Sequence, residues 1–152
     1  MDLKIKELPF GVRTNEYMPD KAIYDFLGED GIRKLINDHY ELLVISSIGD
    51  LFPPKGETLE AAKKRSADFF IQRLGGPNYY EQTRGKPMLS RRHAPFKITP
   101  AARIVWLDCY RQVLSKLNNV PEEIIRAYWD WINELSNWMV NTLEIPADIN
   151  SK

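Results

Sequence analysis

Apolar residues recur at spacings of three and four along most of this chain, and that period restricts the fold more than any other feature. One example is the series Ile32, Leu35, Ile36, Tyr40, Leu43 and Val44. Such spacing places side chains on one face of an α-helix. The same period recurs in the stretches 58–74, 100–117 and 121–139. Because no stretch alternates as a strand would, the sequence predicts an all-α fold.

Glycine and proline predict where these helices end. A short helix from Lys21 is expected to stop at Gly28, and Thr58 is expected to cap the third helix. Pro100 and Pro121 each suit the first turn of a later helix. Residues 75–100 contain three glycines and four prolines, too many for long regular elements. This segment is therefore predicted to be irregular and held down by its apolar residues.

Length and composition predict one independently folding domain. The chain has 152 residues, and its formal net charge is zero. We expect an N-terminal extension over 1–20 that wraps the domain or is only partly ordered, the domain itself over 21–145, and a C-terminal tail over 146–152. The single cysteine, Cys109, excludes an intramolecular disulfide and a cysteine-based metal site. No stretch has the pattern of a secretory signal or a membrane span, so a soluble cytoplasmic protein is expected.

The two histidines occupy different settings. His39 lies within the second predicted helix beside Tyr40, where a histidine is usually a surface or core residue. His93 lies in the irregular segment, and Pro95 restricts the backbone just beyond it. From the residues alone, an ordinary loop histidine remains the commoner interpretation, because spacing by itself does not indicate a haem ligand.

A second candidate feature is a run of six basic residues without an acidic one between positions 84 and 103. They are Arg84, Lys86, Arg91, Arg92, Lys97 and Arg103. Such a patch could bind nucleic-acid phosphates or the carboxylates of a bound anion, or it could be a solvated face. Two adjacent tyrosines, Tyr79 and Tyr80, are too few for a base-stacking platform. The last predicted helix carries three tryptophans, Trp129, Trp131 and Trp138, which cannot all face one core.

Three short sequence segments between Leu74 and Val113 resemble those of the second group of truncated haemoglobins. They are Leu-Gly-Gly-Pro-Asn-Tyr-Tyr, Gly-Lys-Pro-Met-Leu-Ser-Arg-Arg-His-Ala-Pro-Phe and Trp-Leu-Asp-Cys, in the family's order and spacing. A weaker resemblance extends from about Ile23 through Leu143. It implies a truncated globin fold, a helical sandwich around haem b with a long irregular proximal segment.

The resemblance also implies the roles of individual residues. His93 takes the position of the proximal iron ligand. Tyr40, Trp106, Ser66 and Ala62 take the distal ligand-binding positions. Contacts with the haem are expected from Phe52, Arg65, Phe69, Phe70, Tyr80, Leu89, Arg92 and Phe96. Among these, Arg65 and Arg92 are the expected partners of the haem propionates.

The chain departs from the family pattern at three site positions: Lys86 replaces a histidine, His39 replaces a common aromatic residue, and Ser66 is smaller than usual. With Ala62 also small, the distal side is expected to be roomier and wetter. The implied ligands are O2, CO, NO or peroxide, with possible NO or peroxide detoxification and a possible reductase partner. A monomer or homodimer is expected, with no nucleic-acid or membrane partner. The alternatives are a haem-free globin-fold sensor or interaction module, and a nucleic-acid-binding helical domain.

Overall fold

The computed structural model describes residues 1–11 and 19–143, and this part of the chain is helical without a β-strand. The predicted tail over 146–152 lies outside the described residues. The helices are α1 (Ala22–Val44), α2 (Glu57–Arg73), α3 (Tyr79–Arg84), α4 (Leu89–His93), α5 (Pro100–Leu114) and α6 (Glu122–Met139). A 3₁₀ turn, Gly49–Leu51, follows α1. The all-α prediction is confirmed.

Gly28 divides α1 into the two helical stretches that the sequence predicts. Its backbone has φ 66° and ψ −178°, a combination that is essentially restricted to glycine. The helical hydrogen bonding resumes directly after the kink, so the two stretches follow one another without a loop. The second stretch presents Ile32, Leu35 and Ile36 to the core.

The start of α2 differs from the prediction, whereas α5 begins as predicted. Gly56, not Thr58, precedes the first helical residue of α2, and the Thr58 hydroxyl instead bonds to the carbonyl of Pro54. The prediction of a Thr58 cap is therefore wrong. At α5, the Thr99 side chain accepts a hydrogen bond from the Ala102 N–H, and Pro100 fills the first turn, where its missing N–H costs nothing.

Two single-turn helices, α3 and α4, lie within the segment 75–100. Turns and bends occupy the remainder of the segment, as its glycines and prolines predict. Met88 precedes α4 with a left-handed φ of 43°, which is unusual for a residue with a side chain. Helices this short gain little from their own hydrogen bonds, so contacts with the rest of the fold must hold them.

The core forms where α1 packs on α2 and α5, and α5 packs on α6. An aromatic cluster fills its centre. Tyr110 and Tyr128 are buried, and their hydroxyls hydrogen-bond each other. Phe70 and Trp131 pack edge to face, with ring centroids 5.5 Å apart. Such aromatic pairs add stability beyond the area they bury.

An N-terminal arm, residues 1–11, packs against α5 and α6 and explains the tryptophans of α6. Leu3 is buried in the core, and the Trp129 indole N–H donates to the Lys4 carbonyl at 2.8 Å. Trp129 and Trp131 are therefore both buried, although they lie two residues apart on the helix. The arm covers an apolar face that the rest of the helices leave open. Within the described residues, no helix has the length and hydropathy of a membrane span.

Candidate functional site

A cavity of about 690 Å³ opens between the helices, and all six of them, α1 to α6, contribute to its lining. Every side chain proposed for the site from the sequence lines it. These residues are Tyr40, Phe52, Ala62, Arg65, Ser66, Phe69, Phe70, Tyr80, Leu89, Arg92, His93, Phe96 and Trp106. Residues separated by more than 60 positions along the chain therefore meet at one site. Most of the lining is aromatic or aliphatic, which suits a flat apolar ligand.

His93, the last residue of α4, presents one ring nitrogen for coordination. Its Nδ1 lies 2.7 Å from the carbonyl oxygen of Leu89, one turn earlier. Because a carbonyl can only accept a hydrogen bond, Nδ1 must carry a proton, and in the neutral imidazole Nε2 then keeps its lone pair. A histidine that binds a metal through one ring nitrogen is usually oriented by a hydrogen bond from the other ring nitrogen, often to a backbone carbonyl. His93 therefore has the tautomer that a metal ligand needs.

A second group of polar side chains lines the cavity from α1, α2 and α5. Burial raises the pKa of Tyr40, although a hydrogen bond to Ser66 and the nearby charge of Arg65 oppose that shift. The phenol is thus a neutral hydrogen-bond donor at ordinary pH. Phe52 packs edge to face against the Tyr40 ring, with centroids 5.6 Å apart. Trp106 is half-buried and lines the same cavity from α5.

His39 also lines the cavity, a position that sequence reasoning did not assign to it. Its ring is 3% exposed, lies 4.0 Å from the Tyr110 ring, and donates from Nε2 to the Trp106 carbonyl at 3.0 Å. Burial lowers the pKa of His39 to about 3, against the opposing effect of the Trp106 carbonyl. His39 is therefore neutral at physiological pH, and it fixes the backbone that carries Trp106.

Arg92 and Arg65, the two arginines expected to meet the haem propionates, have different surroundings. Arg92 donates from Nε to the Pro87 carbonyl and from Nη2 to those of Arg84 and Lys86, and it lies over the Tyr80 ring. These bonds fold the chain just before α4. Arg65 lies half-buried on the cavity wall. Both side chains place positive charge beside the apolar cavity.

The predicted basic patch does not form one solvated face. Arg103 is 6% exposed, and it donates to the Ser136 hydroxyl and to the backbone carbonyls of Asn133 and Lys6. Burial lowers its pKa, although Glu134 opposes that shift. Arg103 thus joins α5, α6 and the N-terminal arm, while Arg84, Lys86, Arg91 and Lys97 remain exposed.

The cavity has further lining residues that the sequence did not predict: Ile98, Ala102, Leu135, Ser136 and Met139. They come from α5, α6 and the connection before α5. The apolar period of α6 indicated that Leu135 and Met139 face inward. It contained no signal that separates a cavity wall from the packed core.

The residues of the cavity fit a haem group. Aromatic and aliphatic side chains suit the faces of a porphyrin, the Nε2 of His93 suits its iron, and nearby arginines suit carboxylate substituents. A helical fold with such a site defines a haem protein of the globin class.

Comparisons with known proteins identify the family. The model of the bacterial-like globin family matches residues 22–141. The group 2 truncated hemoglobin YjbI of Bacillus subtilis is 31% identical over 81% of this chain and 91% of its own length. The chain therefore belongs to the bacterial-like globins and is a group II truncated haemoglobin. Haem binding and a small gaseous ligand follow from membership of this family.

Solved structures agree with this assignment. The crystal structure of phosphate-bound Hell's gate globin IV superposes with a TM-score of 0.82 and 37% identity, covering 93% of this chain and 89% of that one. The group II truncated hemoglobin from Bacillus anthracis gives a TM-score of 0.72 and 30% identity, covering 80% of this chain and 97% of that one.

Proposed function

We propose that this globin holds haem b through Nε2 of His93 and binds O2 in the pocket formed by Tyr40, Ser66 and Trp106. The hydrogen bond from Nδ1 of His93 to the Leu89 carbonyl carries this proposal, because it leaves Nε2 as the free donor atom. Haem, when bound, supplies an iron whose remaining coordination position accepts O2, CO, NO or peroxide. A single histidine ligand fits that role.

Tyr40 and Trp106 act as hydrogen-bond donors to the ligand. The Tyr40 phenol stays protonated because burial raises its pKa, and an indole N–H can only donate. The Ser66 hydroxyl is hydrogen-bonded to Tyr40, so Ser66 can orient the phenol toward a ligand. A hydrogen bond to a partly charged acceptor contributes about 1.5–3 kcal/mol, which corresponds to roughly 10- to 150-fold slower release.

Slow release favours chemistry on the retained ligand over oxygen delivery, so the proposed activity is removal of NO or peroxide. Repeated turnover then requires an electron donor such as a reductase. Arg65 and Arg92 are proposed to meet the haem propionates, since charge-assisted bonds to carboxylates are the strong ones. The hydrogen bonds from Arg92 to the carbonyls of Pro87, Arg84 and Lys86 use Nε and Nη2, and we propose that Nη1 meets the propionate.

An absorption spectrum of the purified protein tests the haem assignment. The haem-loaded protein should show a Soret band, and His93→Ala should lose haem rapidly while retaining the fold. His39→Gln is the matched control, because it removes the second histidine of the same cavity but can still donate to the Trp106 carbonyl. Equal haem loss from both variants would contradict the role of His93, and a protein that refuses haem would favour the haem-free sensor.

The propionate assignment has its own test. Arg65→Ala should accelerate haem transfer to an acceptor globin without lowering the stability of the haem-free protein. Arg92→Ala should do both, because it also loses three backbone carbonyl partners. If Arg65→Ala lowers haem-free stability and leaves haem transfer unchanged, Arg65 belongs to the scaffold.

A further inference from the structure

Helix α4 carries His93 but has little internal support. It spans five residues, Leu89–His93, and no side chain caps its first turn. So short a helix cannot hold its own orientation through intrahelical bonds. On its N-terminal side, Arg92 bonds to three carbonyls of residues 84–87. The orientation of His93 therefore also depends on what holds the C-terminal side.

Asn141, two residues beyond the end of α6, holds that side. Its Nδ2 donates to the carbonyls of Phe96 at 2.8 Å and His93 at 3.3 Å. Its Oδ1 accepts from the Ile98 N–H at 2.9 Å. The backbone N–H groups of Asn141 and Thr142 both donate to the Ile98 carbonyl. One side chain thus satisfies three backbone groups of the segment 93–98.

These bonds act on the residue that bears the imidazole. The carbonyl of His93 is two bonds from its own Cα, so fixing that oxygen restricts where the ring can lie. The Phe96 N–H donates to the same carbonyl, which closes the turn after α4. Because Asn141 joins this turn to the chain leaving α6, a displacement of α6 would reach His93 directly through the bond to its carbonyl and indirectly through the bond to Phe96.

We propose that Asn141 is a positioning residue for His93, setting the distance and tilt of the imidazole relative to the haem iron. The proposal rests on the proposed role of His93 as the iron ligand. Asn141 is exposed, so its replacement should leave the core intact, and the effect should be confined to α4 and the turn that follows it.

The test is Asn141→Ala in the haem-loaded protein. The iron–histidine stretching band of the ferrous, ligand-free form should shift and broaden in the resonance Raman spectrum. Haem transfer to an acceptor globin should be roughly 5- to 150-fold faster, as expected for the loss of two net hydrogen bonds. Asn137→Ala is the control, because Asn137 lies on α6 but donates to the Pro9 carbonyl of the N-terminal arm. It should leave the band unchanged.

Asn141→Asp separates the two halves of the interaction. A carboxylate keeps an acceptor for the Ile98 N–H but cannot donate to the carbonyls of His93 and Phe96. The Raman band should therefore change as in the alanine variant, while hydrogen exchange at the Ile98 amide should accelerate only in Asn141→Ala. That exchange is measured in haem-free protein, so it does not depend on His93 binding iron.

Two results would overturn the positioning role: a Raman band and haem transfer rate in Asn141→Ala that match those of Asn137→Ala, or an unchanged band in Asn141→Asp. Failure of the proposed function has a different signature. In that case, the unsubstituted protein would lack an iron–histidine band, and His93→Ala would retain haem normally.

Discussion

Protonation of His39 should make the stability of this globin sensitive to acid. The pKa of His39 in the folded protein is about 3, against about 6.5 in an unfolded chain. Between these values the unfolded chain binds a proton that the folded protein excludes, so stability falls as the pH falls through this window. At pH 4.5, about two units below the unfolded value, the loss should reach roughly 2.7 kcal/mol.

His39→Gln tests this expectation, because glutamine can donate to the Trp106 carbonyl but does not titrate. The free energy of unfolding of both proteins is measured by urea denaturation from pH 7 to pH 4.5. Carboxylate titration and haem release affect both alike, so the difference between the two curves isolates His39. That difference should change by about 1.4 kcal/mol per pH unit below pH 6.

His93→Gln serves as the matched control, since it removes the other of the two histidines and should keep the acid sensitivity that His39 confers. In the diamagnetic CO form, ring signals of His39 should not titrate above pH 4.5. Parallel unfolding curves for the original protein and His39→Gln, or a His39 titration near pH 6, would refute the reasoning.

Three further substitutions test other parts of the structure. Tyr40→Phe should speed O2 dissociation about tenfold or more, as measured by stopped-flow release rates. Combining it with Trp106→Phe should depart from additivity, because both side chains are proposed to donate to one ligand. An unchanged release rate in Tyr40→Phe would show that Tyr40 does not donate to the ligand. Tyr128→Phe should lower the free energy of unfolding by about 1–3 kcal/mol, because the buried Tyr110 hydroxyl loses its partner. The double variant Tyr110→Phe/Tyr128→Phe should recover part of that loss, because neither hydroxyl is then left without a partner. If the single and double variants were equally destabilised, the argument would be contradicted. Gly28→Ala should cost about 1–3 kcal/mol from backbone strain alone, since a Cβ there would meet nothing within 4 Å; an unchanged urea midpoint would show that the kink relaxes.

The apolar period predicted the long helices because their stability depends on one buried face. It predicted α2, α5 and α6 to within a few residues, and it predicted the break at Gly28. It could not predict the single turns α3 and α4, because contacts outside each turn hold them: α3 packs on α2, and α4 is held by Arg92 and Asn141. The helix period therefore described the scaffold better than the segment that carries His93.

Prediction of the candidate site depended on the family resemblance, and the spacing of apolar residues did not reveal it. Spacing alone left His93 as an ordinary loop histidine, and only the resemblance to truncated haemoglobins brought Tyr40, Trp106 and His93 together. The structure places them around one cavity. The spacing of His39 from Leu35 and Ile36 agrees with the buried face of α1, but the residue type left a surface position equally open, because histidine is common in both settings.

The N-terminal arm is held almost entirely through its main chain. Arg126, Arg111, Trp129, Arg103 and Asn137 donate to backbone carbonyls of the arm, and Asn133 accepts from a backbone N–H. Backbone groups are the same in every residue except proline. The side chains of α5 and α6 that bond to the arm therefore require an extended backbone but not particular side chains at most arm positions. Three side chains of the arm also contribute: Leu3 enters the core, Ile5 packs against it, and Lys6 forms an ion pair with Asp130 at 3.1 Å. Many different sequences should therefore serve as the arm, provided that apolar residues of similar size stay at positions 3 and 5.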